Sequence, residues 1–475
     1  MISSIEVQSF VREVDRCERQ KIVDPRTGIA FAEVGLLERS AVPDIADRAV
    51  KAFRGWRATP LDERCALVEA MAQLLHERTP RLASEFSREH GKTPVEAEAE
   101  LARAVETLRW SAERTRVLLD PTELPERGGA KRRLEMEAAG PVLAVVPWNF
   151  PAVTLSRKLG PALAMGCSVV VKAPETTPRV MAAFAEAAVD AGFPGDTVQV
   201  VHASPTTADA LVRRREFRVV TFTGSTRVGR QVAAAAADGL SQCVLELGGH
   251  APVVVTAEAD IDAAARILAA AKFSSTGQSC AAPSRFLVHR DVHDAFVDAF
   301  LRHLPGLDHG AGPGGPPGGM GPLHTAAHRG AIHALVTDAV GRGATVRAGG
   351  ELPGGTGFHY PATVLTETPA DARVLRAEPF GPIAPFVAYT DDDEVVDLAN
   401  GTDFALSAYV FGDVEHAREL GRRIDAGSVF INCAGGAAPD APLGGRRDSG
   451  YGYEGGDEGL LTFGRLKILH APAVR

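Results

Sequence analysis

Cys280 heads the residues whose types could do chemistry, because a thiol becomes a strong nucleophile once its pKa is lowered. It ends the stretch Ser-Ser-Thr-Gly-Gln-Ser-Cys, a composition typical of a loop leading into a helix. An amide in segment 147–151 and carboxylates in segments 246–249 and 378–382 could supply a hydrogen-bond donor and a base. Each segment alone has an ordinary structural explanation, so the argument rests on their combination.

Two other patterns imitate functional motifs. Residues 310–315 spell G-x-G-x-x-G, but no strand precedes them and the Pro-Pro that follows prevents a helix start, so a dinucleotide site is not expected there. His324 and His328 are four residues apart, as metal ligands on a helix would be. The sequence has no H-E-x-x-H pattern and offers no third ligand. We therefore expect exposed helix histidines and no metal site.

The composition describes a globular chain and excludes several classes of function. The 475 residues are 45% hydrophobic and 23% charged, with a formal charge of −9. This length predicts two or three domains, and the absence of a basic stripe argues against nucleic-acid binding. No segment has the length and apolarity of a membrane span, and the first residues contain no apolar core of a signal peptide. The six cysteines include no CxxC pair, so we expect a reducing cytoplasm.

The elements that must position these residues follow a clear order along the chain. Residues 43–118 show apolar spacing typical of helices. From residue 139, short apolar runs alternate with helical windows, which predicts a doubly wound parallel sheet. A second alternation runs from residue 251 to about residue 432.

The four chemical segments, in this order, resemble those of the aldehyde dehydrogenase superfamily, and the resemblance covers essentially the whole chain. It extends to the strand end at 222–225, the Gly-Pro at 321–322 and the segment 442–445. Phe150-Pro151 and the C-terminal segment 448–456 resemble the semialdehyde-dehydrogenase-like branch.

The resemblance implies an α/β fold of the aldehyde dehydrogenase type, with two doubly wound α/β domains and a small bridging element. An NAD-binding domain would comprise residues 1–118 and 138–246, and a catalytic domain residues 247–441. The bridging element, residues 119–137 and 442–475, would lend strands between subunits. We therefore expect a homodimer or a homotetramer.

The resemblance also implies roles for three catalytic residues. Cys280 would attack the aldehyde and carry a thioester. The Asn149 amide and the backbone N–H of Cys280 would stabilise the oxyanion, and Glu246 would activate water to hydrolyse the thioester. A CoA-acylating semialdehyde dehydrogenase is the alternative enzyme, but those relatives lack the base at the Glu246 position. A non-catalytic binding or structural paralogue is the alternative of another class.

The cofactor implied by the resemblance is NAD, with its pyrophosphate at the helix that follows a strand ending in Gly224. Lys172 and Glu175 lie just past a strand, where doubly wound sheets bind ligands, and would contact the adenosine ribose. Glu378 would hold the nicotinamide ribose. The full expected set is Trp148, Lys172, Glu175, Gly224, Ser225, Leu247, Glu378 and Phe380.

The substrate is the least determined part of the pattern. Arg157 occupies the position that binds the substrate carboxylate in succinate-semialdehyde dehydrogenases, but the second arginine of that family falls on Ser274 and its serine falls near Ala437 or Ala438. A strict succinate-semialdehyde assignment is therefore not supported. We expect a carboxylated ω-oxo acid or a bulky aldehyde. The alternative is that Arg157 pairs with an internal carboxylate or at a subunit interface, because an apolar helix is a costly place for a lone guanidinium.

Overall fold

A computed structural model describes residues 18–305, 319–435 and 438–472. The Gly-rich segment 310–315 and Ala437 lie outside the described residues. Within them, no helix is long and apolar enough to cross a membrane. Helical and strand segments alternate as the apolar patterns predict, and the fold is described below in chain order.

The N-terminal part contains a hairpin, three long helices and two exposed strands. The periodic segment 43–118 is helical, as predicted. Thr93 and Glu96 form a capping box at the start of the third helix, which satisfies N–H groups that a helix end leaves open. The elements are β1 (Arg19–Asp24), β2 (Ile29–Gly35), α1 (Val42–Trp56), α2 (Leu61–His90), α3 (Pro94–Leu118), β3 (Thr122–Arg127) and β4 (Ala130–Ala138).

The next part forms a doubly wound sheet with helices on its faces. Its strands are short apolar runs that are almost entirely buried, as parallel strands covered on both faces must be. Their bounds, with the intervening helices, are β5 (Val142–Val145), α4 (Pro151–Met165), β6 (Val169–Ala173), α5 (Pro178–Asp190), β7 (Val198–His202), α6 (Pro205–Val212), β8 (Val219–Thr223), α7 (Thr226–Ala236) and β9 (Gln242–Glu246).

The second alternation builds another sheet. Its strands are again apolar, and most of its helices begin at side-chain caps, such as Asp260 and Asp391. The elements are β10 (Pro252–Val255), α8 (Ile261–Phe273), β11 (Arg285–His289), α9 (His293–Leu301), α10 (Ala326–Gly341), β12 (Thr345–Ala348), β13 (Thr363–Thr366), β14 (Ile383–Tyr389), α11 (Asp392–Asn400), β15 (Phe404–Ala405), β16 (Ser407–Phe411), α12 (Val414–Arg423) and β17 (Ser428–Ile431).

The C-terminal segment returns to the first part of the molecule. It comprises β18 (Arg446–Arg447), β19 (Gly450–Tyr451), α13 (Gly456–Leu461) and β20 (Gly464–Pro472). β19 joins the edge of the first sheet beside β9, and β20 pairs with β4 over its whole length. The segment therefore lies beside both the first sheet and the exposed strands.

The sheet topology matches the expected fold class. The first sheet has the order β19–β9–β8–β5–β6–β7, and only β19 runs antiparallel to its neighbour. The second has the order β12–β13–β14–β11–β10–β16–β17, with only β12 antiparallel. A third, antiparallel sheet of β20, β4 and β3 stands apart. Two doubly wound sheets and a small separate sheet confirm the expected α/β fold, while the residue boundaries of the three parts stay a prediction.

α4 packs between α3 and the first sheet and carries several residues of the candidate site. All its residues but Val153 are buried, including Arg157 and Lys158. A helix that is apolar on every side must be surrounded by other elements. Any charge carried on it therefore needs partners inside the protein.

Candidate active site

The segment that carries Cys280 is an unusual backbone turn after α8. Ser275, Thr276 and Gly277 have φ values of 49°, 59° and 69°, so three consecutive residues are left-handed. Such a conformation is disfavoured for residues with a Cβ and must be held by the surroundings. The segment does not lead into a helix, as its composition suggested. It continues instead as a loop into β11, because residues 285–289 form a parallel strand of the second sheet.

Asn149 and the Cys280 segment are brought together from opposite halves of the chain. The Asn149 Nδ2 donates to the backbone oxygen of Gln278 at 3.0 Å, and both side chains are buried. The backbone oxygen of Asn149 in turn lies 3.0 Å from His90 Nε2. An amide donor therefore sits beside the backbone that leads to the thiol.

The Gly-Gly pair after β9 permits a close backbone approach to the Cys280 segment. A Cβ on Gly249 would lie 2.0 Å from the backbone oxygen of Cys280. A Cβ on Gly248 would lie 2.7 Å from a carboxylate oxygen of Glu378. The pair therefore has a steric reason: a side chain at Gly249 would displace the thiol-bearing segment.

Cys280 is half-buried among carboxylates. Burial raises the pKa of its thiol to about 12, and the charges of Glu378 and Glu246 act in the same direction. The backbone N–H groups of Cys280 and Ala281 oppose this rise. The thiol must therefore lose its proton before the sulfur can attack as a thiolate.

Glu246 ends β9 and is buried, with 4% of its surface exposed. Burial raises the pKa of its carboxyl well above the usual value, and the Glu454 carboxylate raises it further. Lys158, Arg157 and the backbone N–H of Gly445 oppose the rise. A carboxyl with a raised pKa beside a thiol has the properties of a general base.

Lys158 and Glu454 are site residues that the sequence reasoning did not assign. The Lys158 Nζ forms an ion pair with Glu454 and donates to the hydroxyls of Thr221 and Thr223 at 2.8 Å each. Thr221 also donates to Glu454, at 3.0 Å. The signal was available, because Lys158 lies in the same apolar helix as Arg157 and needs a partner for the same reason.

Arg157 lies on α4, where 5% of its surface is exposed. Its Nη2 donates to the backbone oxygen of Ala438 at 3.3 Å. Burial lowers the pKa of the guanidinium, while the nearby charges of Glu454, Glu246 and Cys280 favour its charged form. The side chain thus stands close to both the thiol and the candidate base.

An aromatic stack forms the other side of the Asn149 segment. The rings of Trp148 and His324 are parallel at 4.2 Å, and Phe380 meets Trp148 edge-on at 5.9 Å. His324 bridges the backbone oxygen of His90 and the hydroxyl of Thr176, at 3.0 and 2.8 Å. Trp148 and Phe380 therefore lie in contact on the same side of the candidate site.

The two histidines expected to be exposed on a helix are not so placed. His324 precedes α10 and is buried against Trp148, and burial lowers the pKa of its imidazole to about 4. His328 is half-buried and contacts the backbone oxygen of Phe380 at 2.8 Å. The prediction of exposure was wrong because the loop 319–325, which the sequence pattern does not locate, folds over the site. Among the described residues, no group of three or more His, Cys, Asp or Glu could hold a metal ion.

The carboxyl ends of β6 and β8 carry the residues expected to hold the adenosine side of a dinucleotide. The Lys172 Nζ pairs with Glu175 at 2.5 Å. Ser225 precedes α7, and within the described structure its hydroxyl makes no capping hydrogen bond to the first turn of that helix. A helix start of this kind suits a pyrophosphate. A Cβ on Gly229 would lie 2.3 Å from Leu247, so that glycine lets Leu247 pack on the helix.

Glu378 lies between the Gly-Gly pair and the second sheet. Its Oε1 accepts the N–H of Gly249 at 3.0 Å. Burial raises the pKa of its carboxyl to about 7, while the Gly249 N–H and the nearby Lys272 oppose the rise. Glu378 is thus held by Gly249, the same residue whose backbone approaches Cys280.

Comparison with known proteins gives a consistent answer. The model of the aldehyde dehydrogenase family matches residues 10–469. The 4-(hydroxymethyl)benzenesulfonate dehydrogenase TsaD1 of Comamonas testosteroni is 37% identical over 95% of this chain and 94% of its own. The succinate-semialdehyde dehydrogenase (NADP+) of Deinococcus radiodurans is 34% identical over 94% of each chain.

A solved structure agrees with the sequence relatives. The succinate-semialdehyde dehydrogenase of Burkholderia pseudomallei superposes with a TM-score of 0.91 at 33% identity, over 96% of this chain and 95% of that one. The family match and the superposition both span nearly the whole chain. The protein therefore belongs to the aldehyde dehydrogenase family and is an aldehyde-oxidising oxidoreductase.

Proposed function

We propose that the protein oxidises an aldehyde to a carboxylic acid through a thioester on Cys280. The observation that carries the proposal is the 3.0 Å hydrogen bond from the Asn149 amide to the backbone of Gln278, two residues before the thiol. It supports an amide donor beside a nucleophile, with Glu246 as the nearby base.

In the first step the Cys280 sulfur bonds to the carbonyl carbon, and the carbonyl oxygen becomes an oxyanion. The Asn149 amide and the backbone N–H of Cys280 donate to that oxygen. One such donor contributes about 10²–10³ in rate. The thiol proton is released to solvent before this bond forms, and the high pKa of the thiol makes that release a costly part of the step.

NAD, when bound, supplies the hydride acceptor that converts the thiohemiacetal into a thioester. The proposed contacts are the helix start at Gly224 and Ser225 for the pyrophosphate, and Glu378 for the nicotinamide ribose. The start of α7 directly after Ser225, which does not cap it, and the packing of Leu247 on Gly229 support this fit. The remaining proposed contacts are Trp148, Lys172, Glu175 and Phe380.

The preference for NAD over NADP rests on Glu175. A carboxylate accepts a hydrogen bond from a ribose 2′-hydroxyl and repels a 2′-phosphate. The Deinococcus relative, by its name, uses NADP+, so the preference is tested directly. We expect Glu175→Thr to reduce the ratio of kcat/KM for NAD to that for NADP. Equal kcat/KM for the two cofactors in the wild type would contradict the preference.

In the last step Glu246 removes a proton from water, which attacks the thioester carbon and releases the acid and the Cys280 thiolate. The alternative is transfer of the acyl group to coenzyme A. The burial of Glu246 beside Cys280, Lys158 and Arg157 favours hydrolysis, because a buried carboxylate with a raised pKa is an effective base.

The substrate we propose carries an anionic group and is larger than succinate semialdehyde. The guanidinium of Arg157, which lies near Cys280 and Glu246, supports one anionic contact. Tyr409 donates to the backbone oxygen of Ala281 at 2.6 Å and stacks on Phe430 at 5.1 Å, so an aromatic wall adjoins the thiol segment. The Comamonas relative, whose name gives an aromatic sulfonate, supports an anionic aromatic aldehyde alongside the ω-oxo acids.

The oligomeric state we propose is a homodimer or a homotetramer. β20 is an edge strand of the small sheet, and its Leu466, Ile468 and Leu469 are 66%, 43% and 41% exposed. Apolar side chains on a free sheet edge favour pairing with another chain. The cytoplasmic location stays a prediction.

The deciding experiment measures NADH formation with carboxylated, aromatic and long aliphatic aldehydes, with and without coenzyme A. We expect an acid product and no dependence on coenzyme A. Cys280→Ala is the control and should abolish turnover while NAD binding persists. An acyl-CoA product would favour the alternative enzyme. No turnover with any aldehyde would favour the non-catalytic paralogue, and a Cys280→Ala variant with a tenth of wild-type kcat would contradict the covalent mechanism.

A further inference from the structure

Two carboxylates on α3 each hold a different side of the proposed active site. Glu96 and Glu100 are one helical turn apart, so their side chains leave the same face of the helix. Glu96 is half-buried and Glu100 is fully buried. A buried carboxylate is costly unless its oxygens accept hydrogen bonds, so the partners of these two are informative.

Glu96 connects the start of α3 to the left-handed turn before Cys280. Its Oε2 accepts the backbone N–H and the hydroxyl of Thr93, each at 3.0 Å. Its Oε1 accepts the backbone N–H of Ser275 at 2.6 Å. One carboxylate therefore completes a helix cap and also fixes a residue of the disfavoured turn.

The turn needs such support because its backbone does not favour the conformation by itself. Ser275 and Thr276 both have positive φ, which costs energy for residues with a Cβ. Thr276 donates to the backbone oxygen of Gly321 at 2.9 Å, which is a second contact that supports the turn. The position of Cys280 thus depends on a few named contacts, and the Glu96 contact is the charged one.

Glu100 holds the other side of the site through the start of α4. Its Oε1 accepts the backbone N–H groups of Ala152 at 2.9 Å and of Val153 at 3.4 Å. Its Oε2 pairs with Lys92, whose Nζ lies 3.6 Å from the centre of the Phe150 ring. Ala152 and Val153 follow Asn149 by three and four residues, so Glu100 ties the orientation of Asn149 to α3.

We propose that Glu96 and Glu100 are positioning residues that set the distance between Cys280 and the Asn149 amide, with α3 as the rigid spacer. The inference rests on the proposed function, because it assigns Asn149 and Cys280 to the same oxyanion. Neither carboxylate acts on the reacting atoms. Their effect is on the alignment of two donors and a nucleophile, where a misplacement of about 1 Å costs on the order of 10²-fold in rate.

The first arm of the experiment tests Glu96 with two substitutions that remove different hydrogen bonds. Glu96→Met keeps the side-chain volume and loses both sets of hydrogen bonds, whereas Thr93→Ala loses the helix cap and keeps the contact with Ser275. We expect Glu96→Met to lower kcat and the rate of the NADH burst by about 10–100-fold, with KM values for aldehyde and cofactor within about 3-fold. Thr93→Ala should lower Tm comparably and leave kcat within about 3-fold of wild type.

The second arm tests Glu100 independently of the first and includes rescue by a conservative variant. It compares two double variants, and both carry Lys92→Met so that no buried cation loses its partner. Lys92→Met/Glu100→Gln keeps an acceptor for Ala152, and its kcat should stay within about 3-fold of wild type. Lys92→Met/Glu100→Leu removes the acceptor and should lose about 10–100-fold in kcat. If one arm yields no folded protein, the other still decides.

The inference is overturned if Glu96→Met keeps wild-type kcat, if Thr93→Ala lowers kcat as much as Glu96→Met, or if the glutamine and leucine doubles behave alike. These outcomes differ from failure of the proposed function. That failure would appear as wild-type protein that oxidises no aldehyde, or as a Cys280→Ala variant that remains active.

Discussion

At the scale of single residues, Glu246 separates formation of the thioester from its hydrolysis. We expect Glu246→Gln to keep a burst of NADH of about one equivalent per site, with steady-state turnover lower by about 10²–10⁴-fold, because the amide cannot remove a proton from water. Stopped-flow absorbance measures both phases. Loss of the burst together with the steady state would mean that Glu246 also activates Cys280.

Lys158 and Glu454 should move the pH dependence of Glu246 in opposite directions. Glu454 raises the pKa of Glu246, and Lys158 and Arg157 lower it. The base works when deprotonated, so turnover falls as the pH drops through its pKa. Glu454→Gln removes a negative charge, lowers that pKa and moves the acidic limb to lower pH. Lys158→Met removes a positive charge and moves the limb to higher pH.

The measurement for this pair is steady-state kcat against pH, with Thr223→Val as the control that removes one hydroxyl from Lys158 without changing a charge. The control should leave the acidic limb where it is in the wild type. Shifts of the same sign in Glu454→Gln and Lys158→Met would disprove the electrostatic explanation.

Arg157 is the residue that tests the anionic substrate. Arg157→Met should raise KM for carboxylated or sulfonated aldehydes by about 10–100-fold, the contribution of one charge-assisted contact. It should leave KM for benzaldehyde or hexanal nearly unchanged. Equal losses on charged and uncharged aldehydes would assign Arg157 a structural role, in keeping with its contact to the backbone of Ala438.

At the scale of elements, the connection from β9 to β10 controls two functions through adjacent glycines. Gly249→Ala places a methyl group against the backbone of Cys280, which cannot move away cheaply, so kcat should fall by about 10²-fold. Gly248→Ala meets a side-chain oxygen of Glu378, which can move, so KM for the cofactor should rise more than kcat falls.

The control for these glycines is Gly330→Ala on α10, where a Cβ meets open space. It should keep wild-type kinetics and a slightly higher Tm, because alanine favours a helix more than glycine does. If Gly249→Ala kept wild-type kcat, the close approach to Cys280 would not be important for turnover.

At the scale of the whole molecule, β20 should determine the oligomeric state. Leu466 and Ile468 lie two residues apart on one face of the strand, so Leu466→Glu/Ile468→Glu should dissociate the oligomer into smaller species. Lys467→Ala, on the opposite face, is the control. Light scattering after size-exclusion chromatography measures the mass. An unchanged mass in the double variant would place the interface elsewhere.

The sequence by itself determined the elements and the reactive residue types. Apolar runs of strand length alternating with helical windows predicted both doubly wound sheets, because buried parallel strands leave that local pattern. The motifs around Asn149, Glu246, Cys280 and Glu378 identified the family. They are short, continuous stretches in which reactive side chains stand next to glycines, so they can be read directly from the sequence. The resemblance also implied a small bridging element with strands, and β3, β4 and β20 form a separate antiparallel sheet.

Only the tertiary structure decided which distant groups meet. The pairing of Lys158 with Glu454 joins residues 296 positions apart, and the contact of Glu96 with Ser275 joins residues 179 apart. Such contacts leave no periodic signal in a single sequence. The same limit made His324 appear exposed, although it is buried against Trp148. Local patterns specify which element a residue occupies, whereas burial, pKa and partners depend on elements that meet only when the sheets close on one another.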